Sequence, residues 1–544
     1  MIFNVIKPTR VIPKNVEATF YLVQDSWNDY SFQTLYHLYL SSSEGTTNFG
    51  SVKILKAGQT KSDSILIHDD FEKLDDSFVS VGTSLDYYQR LADLSENLRL
   101  QILKSLRDAV LNPELIPIFE KEEGWRTSVF RDQDDKSIDE FFILSRVMLA
   151  GNYTSMPTDG AGFSFQVDGW NEKVTFDLDS SVEIPSGFQN RVIIPSSLMA
   201  VIGRNGSGKS TLLARIARVA HGSATDRKLR PLSALGVLDP AGIGFPRIIT
   251  ISYSAFDSFE LPGVSDHERE QIIRDVRRGD GRFVFCGLRD IATELEHRIK
   301  NNENSPLRSD DSFDRVSQTL LKPVNVLAEE FVKTLELISD KKRDALYARA
   351  FKIISSDVSF DAYSVLAELQ NFRVDNPKDH FLSWSTGHKI VMQILVSLVA
   401  HMTPRSLVLI DEPETHLHPP LLAALMHAVR ALLEEHKAYG IVATHSPVVL
   451  QETLSQHVYI VRREGTTTKL VRPSIETFGE NVGALTSEVF GMNSGVTDFY
   501  KILDKMLVEL NSLEAIESKF EPHGMSNQAR AYVMSKLIRK NEEI

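Results

Sequence analysis

The sequence predicts an α/β protein: a mixed sheet flanked by helices, with an antiparallel β-subdomain, a helical insertion and an N-terminal α+β extension. Three observations predict it. The apolar run Leu198–Ile202 meets the glycine loop Gly203-Arg204-Asn205-Gly206-Ser207-Gly208-Lys209-Ser210, which opens a helical pattern from Thr211 to Ala217. A second apolar run, Leu407–Ile410, ends in Asp411-Glu412-Pro413, and a third, Tyr439–Thr444, ends in His445-Ser446-Pro447. In an open parallel sheet the C-terminal tips of such strands gather at one edge, where ligands bind.

The loop fits the phosphate-binding pattern at every fixed position, between the strand and the helix that the pattern requires. Its glycines let backbone N–H groups curl around phosphate oxygens, and the helix start adds its positive dipole end. Lys209 is expected to neutralise the β- and γ-phosphates, and the Ser210 hydroxyl to ligate Mg²⁺. Asp411 belongs to the same Mg²⁺ shell, while Glu412 orients or deprotonates the attacking water. His445 is placed to donate to the γ-phosphate or to that water. The segment Leu382-Ser383-Trp384-Ser385-Thr386-Gly387-His388 opens a helix with apolar residues at 390, 391, 394, 395, 398 and 399. Ser385 is the expected cap, and Gly387 leaves the first turn bare for an anion.

Around these motifs the chain divides into 1–150, 151–257, 258–380, 381–475 and 476–544. Residues 1 to about 80 mix β-rich runs with polar loops. Leu85–Val110 has a helical pattern that stops near Asn112-Pro113, and a second helix covers Ile138–Ala150. Phe163–Val167 and Lys173–Leu178 read as a hairpin whose aromatics are core, with stacking on adenine as the other use. Residues 258–380 are charged and mainly helical. After His445 come a strand pair (Val458–Val461, Lys469–Val471) and terminal helices with apolar faces at Phe478, Val482, Leu485, Val489 and beyond.

The 544 residues are 42% apolar and 24% charged, ordinary for a globular protein of two to four domains. A single cysteine, Cys286, excludes intrachain disulfides and CxxC zinc sites and fits a reducing cytoplasm. The start lacks a signal-peptide pattern, and no apolar stretch reaches the ~20 residues a bilayer needs, so no membrane partner is expected. A net charge of −13 argues against wrapping nucleic acid over the whole surface. Local basic runs (Arg227-Lys228-Leu229-Arg230; Arg274 with Arg277-Arg278; Lys341-Lys342-Arg343) read first as solvated faces, the first two being better placed for a phosphate backbone.

The order phosphate loop, Ser-Thr-Gly helix start, Leu-Ile-Asp-Glu-Pro, Thr-His-Leu-His-Pro and Ala-Thr-His-Ser-Pro resembles the P-loop heads of ABC-type ATPases. It is most like the soluble branch of RecF, SMC, Rad50 and overcoming-lysogenization-defect proteins. The resemblance implies ATP and Mg²⁺ as cofactors. It makes Ser385–His388 the signature motif, Glu414–His418 the D-loop and His445 the switch histidine, and adds Arg204, Asn205 and Thr211 as phosphate contacts. It also implies that the signature of one copy closes over ATP held by the phosphate loop of another, in a head-to-tail dimer at least. The chain departs from the family at Thr386, His388 and His418, and no glutamine follows Arg247–Tyr253 where the Q-loop belongs. Ser252 or Ser254 is left as the stand-in, which implies slow hydrolysis.

A narrower resemblance is to the PtuA ATPase of Septu antiviral systems. It is carried by Arg191–Leu198, Ile251–Phe259, Phe285–Asp290 and Phe478–Thr486. It implies a companion HNH nuclease of PtuB type and, in retron-associated systems, a reverse transcriptase with its DNA–RNA product. No Rad50 hook and no Toprim metal constellation is apparent, so a nuclease within the chain is not expected. The leading expectation is an ATPase that holds and regulates a partner nuclease. An ATP-locked scaffold with negligible turnover and a RecF- or Rad50-like DNA-repair ATPase are the alternatives.

Overall fold

The computed structural model describes the chain except residues 9–11, 14–16, 26–30, 44, 93, 132–134, 151–161, 178–181, 185–191, 195–196, 225, 265, 280, 301–318, 363–374, 466, 491–497 and 543–544. The expected boundary at 150/151 and part of the Arg191–Leu198 phrase lie at or outside the described residues.

Strands that must be covered on both faces read as continuous apolar runs. Five such runs, β10 (Leu198–Gly203), β12 (Ile248–Ser252), β13 (Phe283–Gly287), β14 (Leu407–Asp411) and β15 (Tyr439–Thr444), join the more exposed pair β16 (Val458–Glu464) and β17 (Thr467–Val471) in a seven-stranded sheet. Their order is β13-β12-β14-β15-β10-β16-β17. All neighbours are parallel except the last pair, so the sheet is mixed, as expected. Residues 258–380, expected as a helical insertion, also supply the edge strand β13.

Alternate residues of each strand enter different cores, following the two-residue period of a pleat. Ala200, Ile202, Ile251, Ile410 and Val442 join one core with the helices Thr386–His401 and Pro419–Glu435. Met199, Val201, Leu407, Leu409 and Ile441 join the other with the helix Lys209–His221. That second core also takes an antiparallel sheet of β11 (Gly236–Asp239), β6 (Phe163–Val167) and β7 (Val174–Phe176), the expected β-subdomain. Phe163, Phe165 and Phe176 are all buried in it, so the hairpin aromatics are core. A short pair, β8 (Val182–Ile184) and β9 (Val192–Ile194), stands apart.

The N-terminal extension has its own core, over a sheet in the order β1 (Phe3–Ile6), β2 (Thr19–Gln24), β3 (Leu35–Ser42), β4 (Gly45–Lys56) and β5 (Phe78–Gly82). The single helix expected over Leu85–Val110 is instead two, Leu85–Ala92 and Glu96–Ser105. Asp108 ends the pattern. Its buried carboxylate accepts from the Val110 and Leu111 amides and from Tyr88 Oη, pulling the chain into a turn beside β5. The extension meets the ATPase half at the far end of Lys209–His221, where Arg90 donates to the His221 carbonyl at 3.0 Å and Asn48 to Asp226 at 3.2 Å.

The basic runs are partly structural. Arg227 is buried and donates to the Val219, Ala220 and Ala241 carbonyls, and Arg343 caps Thr386–His401 through the Val399, Ala400 and Met402 carbonyls. Arg277 pairs with Glu296 at 2.5 Å. No helix among the described residues is long and apolar enough to cross a membrane.

Candidate active site

Parallel register assembles the site. Ile202 lies beside Thr444, Asp411 beside Ala443, and Ser252 beside Asp411. The glycine loop, the two carboxylates and His445 therefore emerge side by side at the C-terminal edge of the sheet.

Within the loop, Gly206 and Gly208 take φ of 79° and 103°, which L side chains rarely adopt. Arg204, Asn205 and Gly206 are exposed, whereas Ser207 and Lys209 are buried. Lys209 Nζ donates to the Gly203 carbonyl at 2.9 Å and the Arg204 carbonyl at 3.2 Å, closing the loop on itself. Burial pulls its pKa down, while Glu412, Asp411 and Glu414 oppose that shift. Ser207 Oγ is buried without a hydrogen-bond partner among the described residues. Ser210 Oγ donates to Asp411 Oδ1 at 3.0 Å.

These features fit Mg-ATP. A hydroxyl and a carboxylate converge as oxygen donors, a lysine faces the loop, and a curled backbone exposes its amides. Burial lifts the Asp411 carboxyl to about 7, so a cation there would be held by a group otherwise half protonated at neutral pH.

Glu412 sits in left-handed backbone at φ 48°, a conformation costing on the order of 1 kcal/mol for a non-glycine residue. It is half-buried, and the neighbouring His445 holds its carboxyl below the usual range. His445 Nδ1 lies 3.8 Å from Glu412 Oε1 and 2.9 Å from Glu414 Oε1. Together the two carboxylates raise the imidazole to about 10, so the ring is cationic through the neutral range.

The signature residues form a second group. Ser385 caps Thr386–His401, its Oγ accepting from the His388 amide and lying 2.6 Å from His388 Nδ1. Ser385 and Thr386 are exposed. At Gly387 the close approach is made by protein: a Cβ would lie 3.1 Å from the His416 carbonyl. The Ser385–Gly387 turn is thereby packed on the 416–417 stretch of its own chain.

Two side chains near the loop gave no sequence signal. Trp170, in the β6–β7 turn, brings its ring to 3.3 Å from where a Cβ on Gly208 would sit. Arg463 of β16 donates to the Gly206 carbonyl at 3.4 Å. At the Q-loop position Ser252 is fully buried, and Asp257 lies beyond it, ion-paired to the buried Arg289 at 2.7 Å.

Comparison with known proteins agrees with this geometry. Residues 198–451 match the family model described as "AAA domain, putative AbiEii toxin, Type IV TA system". Over 568 aligned residues the chain is 30% identical to Protein ea59 of Escherichia phage lambda, covering 99% of both chains.

The chain belongs to the ea59 family.

Its motif-bearing region, residues 198–451, is an AAA-type ATPase domain, and this ea59-family member is an ATPase by domain type. Solved structures with similarity include an SMC head bound to the C-terminal winged-helix domain of ScpA (12% identity, 58% of this chain and 98% of that one, TM-score 0.26). Another is an SMC head with an extended coiled coil, bound to the C-terminal domain of ScpA derived from Pyrococcus furiosus (13% identity, 57% and 95%, TM-score 0.23).

Proposed function

We propose that this ea59-family chain is a nucleotide-driven regulatory ATPase that binds Mg-ATP between two head-to-tail copies and gates a partner nuclease in antiviral defence. The reading is carried by one observation: Lys209, Ser210, Asp411, Glu412 and His445 meet at a single sheet edge, while Ser385 and Thr386 lie exposed at a separate helix start. Such an arrangement suits a site completed by a second copy.

In this reading the loop amides of 203–208, with Arg204, Asn205 and Thr211, cradle the phosphates and Lys209 neutralises them. Ser210 and Asp411 would hold Mg²⁺, which would supply positive charge against the phosphates. Glu412 orients and deprotonates the attacking water, and His445 donates to the γ-phosphate. Ser385, Thr386 and Gly387 of the other copy close the site. Trp170 serves as the platform for adenine. Trp170→Ala is expected to weaken ATP binding about tenfold and leave inorganic triphosphate binding unchanged, a contrast read by calorimetry.

The partner is proposed on the resemblance to PtuA: an HNH nuclease of PtuB type, accompanied in a retron setting by a reverse transcriptase and its DNA–RNA product. Co-expression of the chain with the neighbouring open reading frames, followed by phage plating, tests this. Protection that needs both a nuclease gene and an intact Lys209 supports the reading, and protection indifferent to Lys209→Ala contradicts it.

One observation favours the ATP-locked scaffold as second reading. Ser252, at the expected Q-loop position, is fully buried, Asp257 beyond it is held by Arg289, and no glutamine follows Arg247–Tyr253.

A further inference from the structure

Glu414 lies three residues beyond Asp411, in the turn between β14 and the helix Pro419–Glu435. A carboxylate in a turn usually faces solvent, but this one is turned back onto the tip of β15. Its Oε1 accepts from Thr444 Oγ1 at 2.8 Å and from the His445 backbone amide at 2.6 Å, and lies 2.9 Å from His445 Nδ1. One oxygen therefore grips the backbone, the preceding hydroxyl and the ring of the same strand end. The other, Oε2, is buried without a hydrogen-bond partner among the described residues. All of the carboxylate's hydrogen bonding is thus spent on residues 444 and 445.

We infer that Glu414 is a positioning residue for His445: it engages Nδ1 and orients the ring so that Nε2–H is the donor presented to the nucleotide. Both nitrogens of the cationic ring carry protons, so Nδ1–H donates to the carboxylate and fixes the ring's orientation while Nε2–H stays a donor. Glu412 sits farther from Nδ1, at 3.8 Å, so its charge acts on the ring while Glu414, at 2.9 Å, makes the close contact that holds it. Two carboxylates flanking one imidazole thereby take separate tasks. The inference rests on reading His445 as a phosphate ligand.

The charged groups acting on His445 are Glu412 and Glu414, with Lys209 across the site acting on both carboxylates. Glu414→Gln keeps an oxygen for Thr444 and the His445 amide but removes the charge. Hydrolysis by the full chain is measured from about pH 6 to about pH 9.5, with mant-ATP binding as the check on folding. The E414Q variant is expected to be within about threefold of wild type near pH 6 and to fall about tenfold below it near pH 9, where its less basic imidazole loses the proton. Adding E414Q to His445→Gln is expected to cost nothing further, because the residue acts through the ring. An E414Q profile parallel to wild type, or losses that multiply in the double variant, overturns the inference. A wild-type rate in H445Q overturns instead the reading of His445 itself. If E414Q does not bind mant-ATP, Glu414→Asp carries the test. Its shortened carboxylate is expected to lower kcat at every pH while keeping the alkaline limb, and an unchanged kcat contradicts the role.

Discussion

Lys209→Ala is expected to abolish measurable Mg-ATP binding by the purified chain. Lys209 is 4% exposed and its ammonium is held by two loop carbonyls at 2.9 and 3.2 Å, so it is fixed in place before any ligand arrives. It is also a cation that, with His445, offsets Glu412, Asp411 and Glu414 at one sheet edge. Without it a polyanionic ligand meets those carboxylates with the lysine counter-charge gone. The expected loss is a hundredfold or more in Kd, roughly 3 kcal/mol, read by calorimetry with the fold checked by circular dichroism. A Kd within about threefold of wild type contradicts the assignment.

Glu412→Gln has the opposite profile. The amide keeps the shape of the carboxylate and leaves Lys209, Ser210 and Asp411 in place, so Mg-ATP binding is retained. Turnover falls by about 10² to 10⁴ because the base for the attacking water is lost. The same pair of variants separates the two readings of the cellular role. A scaffold locked by ATP works with E412Q and fails with K209A, whereas a switch driven by turnover fails with both.

The sheet and the candidate phosphate loop were legible in the sequence because their physics is local or strongly periodic. Parallel strands covered on both faces leave unbroken apolar runs, as at Leu198–Ile202 and Leu407–Ile410, and a phosphate loop needs its glycines at fixed offsets. What escaped depends on contacts distant in sequence. Trp170 sits in a hairpin turn with no periodicity, and only the fold brings it to Gly208. Arg463 reaches Gly206 across 257 positions. Glu414 was visible only as a D-loop residue, because its hold on His445 follows from the pairing of β14 with β15. The helix expected across Leu85–Val110 failed for a different reason. Leu103, Leu106 and Val110 keep an apolar spacing, but Asp108 captures backbone amides and turns the chain. Strand β13 was hidden because Phe283–Gly287 is a five-residue run inside a charged, helix-rich stretch.

The composite site between two copies is tested most directly by mixing two inactive variants. Lys209→Ala removes the proposed phosphate grip, and Ser385→Arg obstructs the exposed helix start proposed to close over the other copy's nucleotide. Each alone is expected to be inactive while remaining folded. Mixed in equal amounts and allowed to exchange, they form one intact site in every hetero-pair, and hydrolysis is expected to return to about a quarter of the wild-type rate. A mixture that stays inactive after exchange, or an S385R protein that hydrolyses ATP at full rate by itself, contradicts a site shared between two copies.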